Sequence, residues 1–187
     1  WRRPVDSVSS AWTPVGDNLF GGAHHLLILD GAGGPDVIVA ATDGGLIHTS
    51  TDDGASWNEP AGLPWRWGIR RLIATSAGIF VVLGEANWEG YSVWRSTDDA
   101  ASFTVIRDLG DYAGDLWSPR TGSDDLYLVD GGDLLLSTND GDDWTTVGVI
   151  GPSDQAHITG SEAGAPRLYV VLDNNRLHRS DDAGAAW

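Results

Sequence analysis

Cysteine, methionine and lysine are all absent from this sequence of 187 residues. Without cysteine the chain can form neither a disulfide nor a thiolate metal site, and it has no cysteine nucleophile. Without lysine, the 11 basic residues are all arginine, and 27 acidic residues outnumber them to give a formal net charge of -16. Because so acidic a surface repels phosphate backbones, we expect no nucleic-acid partner.

Long apolar runs are also missing. The longest run, around residues 79–83, is far shorter than the roughly 18 residues that a membrane-spanning helix needs. Residues 1–4 show no apolar signal region, and we interpret the chain as an excerpt or a processed product. The lack of lysine beside abundant aspartate, glycine and alanine favours a GC-rich bacterial genome over salt adaptation. We therefore expect no membrane span and a bacterial source.

The sequence does contain an octapeptide that occurs four times. Two copies fit the pattern S-x-D-x-G-x-x-W at every fixed position, and two depart from it slightly. Asn139 replaces the aspartate in the third copy, while Ala100 and Phe103 replace the glycine and the tryptophan in the second. The four copies occupy residues 50–57, 96–103, 137–144 and 180–187.

The aromatic residues that close these repeats are evenly spaced. Trp12 precedes a segment like those after the other copies, so we interpret it as the end of an eroded fifth copy. The closing aromatics lie 45, 46, 41 and 43 residues apart, which is the length of one four-stranded propeller blade. A WD40 repeat is excluded because the chain has no Trp-Asp dipeptide, and the kelch period of about 50 residues is too long. The repeats thus end at Trp12, Trp57, Phe103, Trp144 and Trp187.

Short apolar or alternating runs recur at matching places in each period and predict strands. First strands are predicted at residues 23–30, 69–75, 115–120 and 155–160, and second strands at 36–41, 79–84, 126–130 and 167–172. Third strands follow at 46–50, 91–96, 133–137 and 176–180, and a fourth opens at each closing aromatic. The sequence therefore predicts an all-β fold, a β-propeller of four-stranded antiparallel blades. Residues 1–187 form one segment of about four blades and belong to a larger propeller.

The octapeptides resemble the Asp-box, or BNR, repeat of sialidases, sortilin-type receptors, xyloglucan-degrading endoglucanases and photosystem II assembly factors. The resemblance covers essentially the whole chain and implies a β-propeller from a protein that is secreted or at the cell surface. Because these families include enzymes, receptors and assembly factors, it implies no single activity. It also implies that the octapeptides lie on the face away from any active site.

The fixed positions of the octapeptide suit a tight turn. The aspartate side chain can accept hydrogen bonds from amides two or three residues on, the glycine adopts a conformation that a Cβ disfavours, and the aromatic ring packs over the hairpin. We prefer these roles to catalysis or calcium binding by Asp52, Asp98, Asp182 or Asp140. The structural residues of the four turns are Ser50, Asp52, Gly54, Trp57, Ser96, Asp98, Phe103, Ser137, Asn139, Gly141, Trp144, Ser180, Asp182, Gly184 and Trp187.

Long connections in the second predicted blade are the candidate binding surface. Residues 60–67 and 85–91 exceed their counterparts in other periods, which suggests a purpose beyond connection, and residues 108–115 lie beside them. Their aromatic rings, carboxylates and arginine suit a sugar or a peptide, although tryptophans there could instead pack between blades. The predicted binding residues are Trp65, Arg66, Trp67, Trp88, Glu89, Tyr91, Asp111 and Tyr112.

Glycoside hydrolysis needs two carboxylates about 5 to 9.5 Å apart, and Glu89 and Asp111 are the best candidate pair. A sialidase would also need a set of arginines that clamp a carboxylate and an early Arg-Ile-Pro signature. Neither is visible, and Arg70 and Arg71 adjoin in a predicted strand, where successive side chains point to opposite faces. Sialidase activity is therefore disfavoured, whereas endo-acting glucanase chemistry stays open.

The five histidines show no metal-ligand spacing. His24 and His25 are adjacent, and His157 stands alone in a predicted strand. His48 and His178 both lie two residues before an octapeptide, which favours a structural role inherited from the repeat. We therefore expect no metal and no cofactor.

Two functions of different classes remain open. The first is a non-enzymatic secreted or surface scaffold that presents a loop face to a glycan or protein ligand. The alternative is a fragment of a glycoside hydrolase, more similar to an endoglucanase than to a sialidase. The sequence leans towards the scaffold and leaves the oligomeric state open.

Overall fold

A computed structural model shows the chain as β-strands joined by turns. The described residues are 19, 22–30, 34–61, 63, 66–75, 78–85, 90–111, 114–119, 124–161 and 166–187. Within these ranges there is one short 3-10 helix, Asp43–Gly45, and no α-helix. None of this part of the chain forms a helix with the length and hydropathy to span a membrane.

The strands form four antiparallel sheets in chain order, and each sheet is one blade. Blade 1 contains β1 (Ala23–Leu29), β2 (Val37–Thr42) and β3 (Leu46–Ser50). Blade 2 contains β4 (Arg66–Thr75), β5 (Gly78–Glu85), β6 (Tyr91–Ser96) and β7 (Thr104–Gly110). Blade 3 contains β8 (Asp115–Trp117), β9 (Leu126–Asp130), β10 (Asp133–Ser137) and β11 (Thr145–Val149). Blade 4 contains β12 (Ala156–Gly160), β13 (Leu168–Leu172) and β14 (Leu177–Ser180). The predicted all-β architecture of antiparallel blades is confirmed.

The fourth strand of blade 1 departs from the prediction. After the octapeptide only a single bridge forms, between Asn58 and Thr49. Pro60 then interrupts the pairing because proline has no amide to donate. The chain crosses to the next blade, where Ala61 pairs with the octapeptide of blade 2 at Ser102. Within the described residues, blade 1 therefore has three strands instead of the predicted four. Blade 4 also has three, because its fourth strand was predicted to open only at Trp187, the last residue of the sequence.

Blade 2 has the longest inner strands. Its first strand, β4, has 10 residues, whereas the first strands of blades 3 and 4, β8 and β12, have 3 and 5. Its second strand, β5, has 8 residues. The sequence predicted that β4 begins at residue 69, but the strand begins three residues earlier. It does so because Arg66 pairs with Glu85 and Gly68 with Gly84 in the adjacent strand. Arg66 and Trp67, which were predicted in a loop, therefore belong to a strand.

Three hydrophobic cores join the blades in pairs. Each core combines one face of a blade with the facing side of the next blade. Among the described residues, the three cores join blade 1 to blade 2, blade 2 to blade 3 and blade 3 to blade 4. Central residues of the cores are Val39, Ile47 and Leu72 between blades 1 and 2, Val93 and Leu116 between blades 2 and 3, and Leu134 and Ile158 between blades 3 and 4.

The four octapeptides form the same turn. In the first, the Ser50 hydroxyl donates to Asp52 Oδ1 at 2.8 Å and accepts from the amide of Gly54 at 2.8 Å. Asp52 Oδ1 accepts from the amide of Ser56 at 2.8 Å. The carboxylate thus reaches an amide four residues on, rather than the predicted two or three, and the serine accepts the glycine amide. Equivalent bonds recur in the turns that begin at Ser96, Ser137 and Ser180.

Each turn requires two successive residues with positive φ. In the first turn these are Asp53 at 61° and Gly54 at 86°. Glycine adopts this conformation without a steric penalty, whereas a residue with a Cβ pays roughly 1–2 kcal/mol. Ala100 nevertheless occupies the glycine position of the second turn at φ 65°. Its methyl group is buried in the core between blades 1 and 2, which offsets part of the strain.

In the second, third and fourth octapeptides, the closing aromatic residue packs towards the preceding blade. Phe103 is buried in the core between blades 1 and 2. Trp144 packs against the core between blades 2 and 3, and its Nε1 donates to the carbonyl of Gly141 at 2.9 Å. Trp187 packs against the core between blades 3 and 4. The turn therefore fixes the blade-to-blade contact as well as the hairpin.

Candidate functional site

Strand direction gives the row of blades two faces. The octapeptides follow the third strands, so they share one face with the ends of the first strands. The beginnings of the first strands and the connections between second and third strands lie on the opposite face. We call the opposite face the mouth.

Blade 2 extends beyond its neighbours at the mouth. Gly68, Gly84, Tyr91 and Gly110 form one row across its four strands, and Arg66 lies beyond that row. The inner strands β8 and β12 are shorter and do not reach this level. The inner hairpin of blade 2 is therefore a raised edge beside the centre of the propeller.

The predicted binding residues are only partly described. The backbones of Arg66, Trp67 and Tyr91 come together at the raised edge of blade 2. Tyr91 is half-buried and packs against the core between blades 2 and 3. Asp111 is exposed in the turn after β7. Outside the described residues lie Trp65, Trp88, Glu89 and Tyr112, so the separation of the Glu89 and Asp111 carboxylates stays a prediction.

One position on the inner strands carries an ionisable residue in every blade. To find it, one starts in the third strand at the residue three before the serine of the octapeptide. The paired residues in the second and then the first strand lead to this position. In blade 2 this row runs from Val93 through Val82 to Arg71. We call the four equivalent residues the inner ring, and they are His25, Arg71, Asp115 and His157.

The centre of the inner ring is an ion pair between blades 2 and 3. Arg71 Nε donates to Asp115 Oδ1 at 2.7 Å, and Arg71 Nη2 donates to Asp115 Oδ2 at 2.6 Å. The buried carboxylate also accepts from the amides of Leu116 at 3.0 Å and Ile158 at 2.9 Å. With both oxygens engaged twice, the Asp115 carboxylate connects β4, β8 and β12.

A β-bulge directs two neighbouring arginines to the same side. The register of β4 and β5 shifts between Ile69 and Arg71, which leaves Arg70 as the extra residue. Arg70 Nε donates to the carbonyl of Gly114 at 3.3 Å, and its Nη2 donates to that of Ala156 at 3.1 Å. The expectation that Arg70 and Arg71 point to opposite faces is therefore wrong, because it assumed a regular strand.

These arginines donate hydrogen bonds to backbone carbonyls on the unpaired edge of β12, the first strand of blade 4. An inner strand has a sheet neighbour on one side only, so its other edge carries unpaired carbonyls and amides. Arg70 binds the carbonyl of Ala156, Arg71 binds that of Ile158 at 3.1 Å, and Asp115 binds the Ile158 amide. The network therefore links blades 2, 3 and 4 at the centre.

The two histidines of the inner ring have different surroundings. Burial, the positive charge of Arg71 and the neighbouring His24 lower the pKa of His25, in that order of importance. His25 therefore loses its proton at a lower pH than an ordinary histidine does. His157 is largely exposed, and its Nδ1 lies 3.7 Å from Asp115 Oδ2.

A second interaction at the mouth, between His24 and Asp43, fixes the beginning of β1. His24 Nε2 hydrogen-bonds to Asp43 Oδ1, and Asp43 Oδ2 accepts from the amide of Gly22 at 2.9 Å. The bond to His24 and the bond from Gly22 lower the pKa of Asp43. The adjacent histidines thus have different partners. His24 contacts the connection after β2, and His25 belongs to the inner ring.

The four first strands line a partly open cavity of about 1060 Å³. It extends from Arg71 and Ile158 towards Thr75 and Gly160, at the octapeptide ends of the inner strands. Within the described ranges, no three His, Asp or Glu side chains are grouped to hold a metal ion. Arg71 of the polar network lies at the end of this cavity that is nearer to the mouth.

Sequence reasoning missed the inner ring. A signal was present, because the first strand of each period carries at least one ionisable residue. Aligning the strands from the octapeptides backwards would have brought these positions together. The bulge at Arg70 and the pairing of Arg71 with Asp115 have no such signal, because they depend on contacts between blades.

Comparison with known proteins gives matches in structure only. No protein-family model matches the sequence, and no curated protein matches it. A GH74 enzyme from Niastella koreensis matches 81% of this chain with a TM-score of 0.61 and 23% identity. A GH74 xyloglucanase from Xanthomonas campestris matches 84% with a TM-score of 0.61 and 21% identity. An ancestral GH74 enzyme matches 96% with a TM-score of 0.66 and 17% identity.

The chain is short beside these enzymes, of which it spans 23%, 25% and 25%. GH74 enzymes are β-propellers. At such low identity the likeness concerns the fold and not the reaction. This chain therefore has the fold of a β-propeller segment.

Proposed function

We propose that this chain is a segment of a glycoside hydrolase with endo-acting glucanase chemistry, in which blade 2 supplies part of the polysaccharide-binding face. The supporting observation is the structural match to three GH74 enzymes over 81%, 84% and 96% of the chain. We also infer that the octapeptides are Asp-box repeats, because all four make the same serine and aspartate or asparagine bonds. A secreted bacterial protein that binds a glycan agrees with this reading.

The shape of the mouth supports a polysaccharide ligand. Tyr91 and Asp111 lie at the raised edge of blade 2, and in the sequence Trp65 directly precedes β4 while Trp88 and Glu89 fall between β5 and β6. An extended sugar chain can stack on aromatic rings along such an edge while carboxylates accept its hydroxyl hydrogen bonds. The rigid network behind the edge would hold it in place during binding.

Sialidase chemistry is disfavoured for a new reason. Arg70 and Arg71 do lie on one side, as a carboxylate clamp would require. Their donors, however, are engaged with Asp115 and with the carbonyls of Gly114, Ala156 and Ile158. A substrate carboxylate would have to displace those partners.

The test of this function is hydrolysis of xyloglucan and other β-glucans by the natural polypeptide that carries this segment. We expect a fall in viscosity and new reducing ends. Glu89→Gln and Asp111→Asn should each lower kcat by about 100-fold or more, as expected for loss of an acid or base. Asp52→Asn removes the same kind of charge on the octapeptide face and should leave kcat unchanged. Full activity in both mouth variants would refute the assignment of the pair.

The second candidate is a non-catalytic binding scaffold. It is favoured by the inner ring, because Asp115 is fully engaged in structural bonds. The same assay separates the two: a scaffold would bind the polysaccharide through the mouth and release no reducing ends. Trp88→Ala would then weaken binding without any kinetic effect to measure.

A further inference from the structure

Two consecutive first strands carry a β-bulge at the same place. In β1 the pairing with β2 shifts between Ala23 and His25, which leaves His24 as the extra residue. In β4 the extra residue is Arg70. Each bulge directly precedes the residue of the inner ring, whereas the described lengths of β8 and β12 pair without a shift. Blades 1 and 2 therefore each bring two adjacent ionisable residues to the centre of the mouth.

The two pairs differ in how much of their hydrogen-bonding capacity the protein uses. The arginine pair donates to a carboxylate and to three backbone carbonyls. In the histidine pair, His24 bonds to Asp43, and His25 donates to the backbone carbonyl of Ile69. A histidine ring has two nitrogens that can form hydrogen bonds. Among the described residues, each of the two histidines therefore has a partner for only one ring nitrogen.

The second nitrogen of His25 is accessible from the mouth. Two other histidines, His48 and His178, have a buried Nε2 without a partner, but no atom of His25 belongs to this buried class. His25 is half-buried and is the third residue of β1, close to the beginning of the strand. Its ring is therefore held at one nitrogen and open at the other, which is the arrangement of a ligand-binding histidine.

The surroundings of His25 decide which ligand group it accepts. Burial and the charges of Arg71 and His24 lower the pKa of His25, whereas the bond to Ile69 and the charge of Asp115 raise it, and the net change is a lowering. In the neutral ring the N–H donates to the Ile69 carbonyl, so the second nitrogen is an acceptor. An acceptor suits a hydroxyl group, and it does not suit a carboxylate or a phosphate, which bring no proton at neutral pH.

This position borders the raised edge of blade 2. The 3-10 helix Asp43–Gly45 and strand β1 both pack against β4, whose first residues form that edge. A polysaccharide chain on the raised edge would thus lie next to the beginning of β1. Both sides of this place, blade 1 and blade 2, belong to the described chain.

We propose that His25 binds a sugar hydroxyl of the polysaccharide through its second ring nitrogen, so that blade 1 supplies the other side of the binding face formed by the raised edge. His24 is a positioning residue, because its bond to Asp43 fixes the beginning of β1 and with it the His25 ring. This inference rests on the proposed function for the identity of the ligand.

The test is isothermal titration calorimetry of xyloglucan with the natural polypeptide that carries this segment, at a series of pH values. At pH 7, His25→Ala should weaken binding about 3- to 10-fold, as expected for one neutral hydrogen bond. Binding by the unmodified protein should weaken as the pH falls through the pKa of His25, because protonation turns the acceptor nitrogen into a donor. His25→Ala should not show this loss.

The matched control is His157→Ala, because His157 occupies the equivalent position in blade 4, away from the raised edge. It should bind like the unmodified protein and keep the same pH dependence. His24→Ala should move the loss of binding to higher pH, since the charge of His24 no longer lowers the pKa of His25. Circular dichroism checks that each variant is folded at each pH.

A second measurement needs no variant at His25. Nuclear magnetic resonance of the histidine rings in the unmodified protein should show that xyloglucan lowers the pKa of His25 further, because the ligand binds the neutral ring. Equal affinity in His25→Ala, an undiminished pH dependence in that variant, or an unchanged pKa with xyloglucan bound would each refute this proposal and leave the hydrolase assignment in place. A natural polypeptide that neither binds nor cleaves xyloglucan would refute the proposed function, and this proposal with it.

Discussion

The two faces of this propeller segment use the same repeat in opposite ways. On the octapeptide face, four turns make nearly identical hydrogen bonds, and Asn139 replaces an aspartate without changing their pattern. At the mouth, one equivalent position holds two histidines, an arginine and an aspartate, each with different partners. The contrast teaches that the repeat fixes the blades at one end, while individual residues differ at the other.

The difference has a physical cause. The octapeptide bonds are local, so any blade can make them without regard to its neighbours. The contacts of the inner ring cross from blade to blade, so each residue must suit the partner that the next blade offers. New chemistry is therefore expected at the mouth, where the repeat does not dictate the residue.

Asp115→Ala should have the largest effect on stability. It leaves the Arg71 guanidinium and the Ile158 amide without their shared acceptor, and loss of one partner of a buried pair costs about 3 kcal/mol or more. Urea unfolding measures the change, and Asp115→Asn should lose less because an amide oxygen still accepts. A loss below about 1 kcal/mol in Asp115→Ala would mean that the ring does not hold the blades together.

Gly141→Ala tests the turn itself. Gly141 has a φ of 85°, so an alanine there should lower the free energy of unfolding by about 1–2 kcal/mol. The matched variant is Ala100→Gly, which relieves the same strain but removes a buried methyl group worth about 0.8 kcal/mol. Its net change should therefore be small. Equal losses in both variants would show that the left-handed conformation is not what the glycine provides.

Ser50→Ala should cost about 1 kcal/mol, because the buried amide of Gly54 loses its acceptor. The loss should appear in thermal and urea unfolding alike, and Ser56→Ala serves as the control because its hydroxyl bonds the same Asp52 from an exposed position. If the two serine variants are equally stable, the serine of the octapeptide is not the acceptor that the turn needs.

The octapeptide aspartates should make stability fall in acid. Hydrogen bonds from the Ser56 side chain and amide, and from Ser50, lower the pKa of Asp52 from 3.8 to about 2. A lowered pKa in the folded state gives stability that is present above about pH 4 and is lost as the pH falls towards 2. Asp52→Asn should flatten this part of the pH profile, since the third turn already works with Asn139. An unchanged profile in that variant would contradict the assignment.

The repeat architecture was readable from the sequence because its signals are local. The octapeptide spacing gave the blade period, and the strands β3, β6, β9 and β10 begin and end as predicted. The early start of β4 was not predicted, because Arg66 and Trp67 carry no strand signal apart from their pairing with β5. Blade 1 has no fourth strand among the described residues, and Pro60 is the residue in the sequence that indicates this, because proline has no amide to donate.

The candidate site was less predictable because it depends on contacts between blades. Loop length directed attention to blade 2, whose inner hairpin does extend at the mouth. The pairing of Arg71 with Asp115 joins residues 44 positions apart, and the bulge at Arg70 reverses the side that its guanidinium reaches. Neither follows from hydrophobic periodicity, which treats every strand as regular.

The most direct test of this account is binding of xyloglucan to the protein by isothermal titration calorimetry, with one variant on each face. Trp88→Ala alters the mouth, and Ser50→Ala alters the octapeptide face while both variants stay folded. The account predicts that Trp88→Ala weakens binding at least tenfold, since a stacking aromatic contributes about 1–3 kcal/mol to a base or ring ligand, and that Ser50→Ala binds like the unmodified protein. Equal affinity in all three proteins, or a loss confined to Ser50→Ala, would contradict the assignment of the mouth as the functional face.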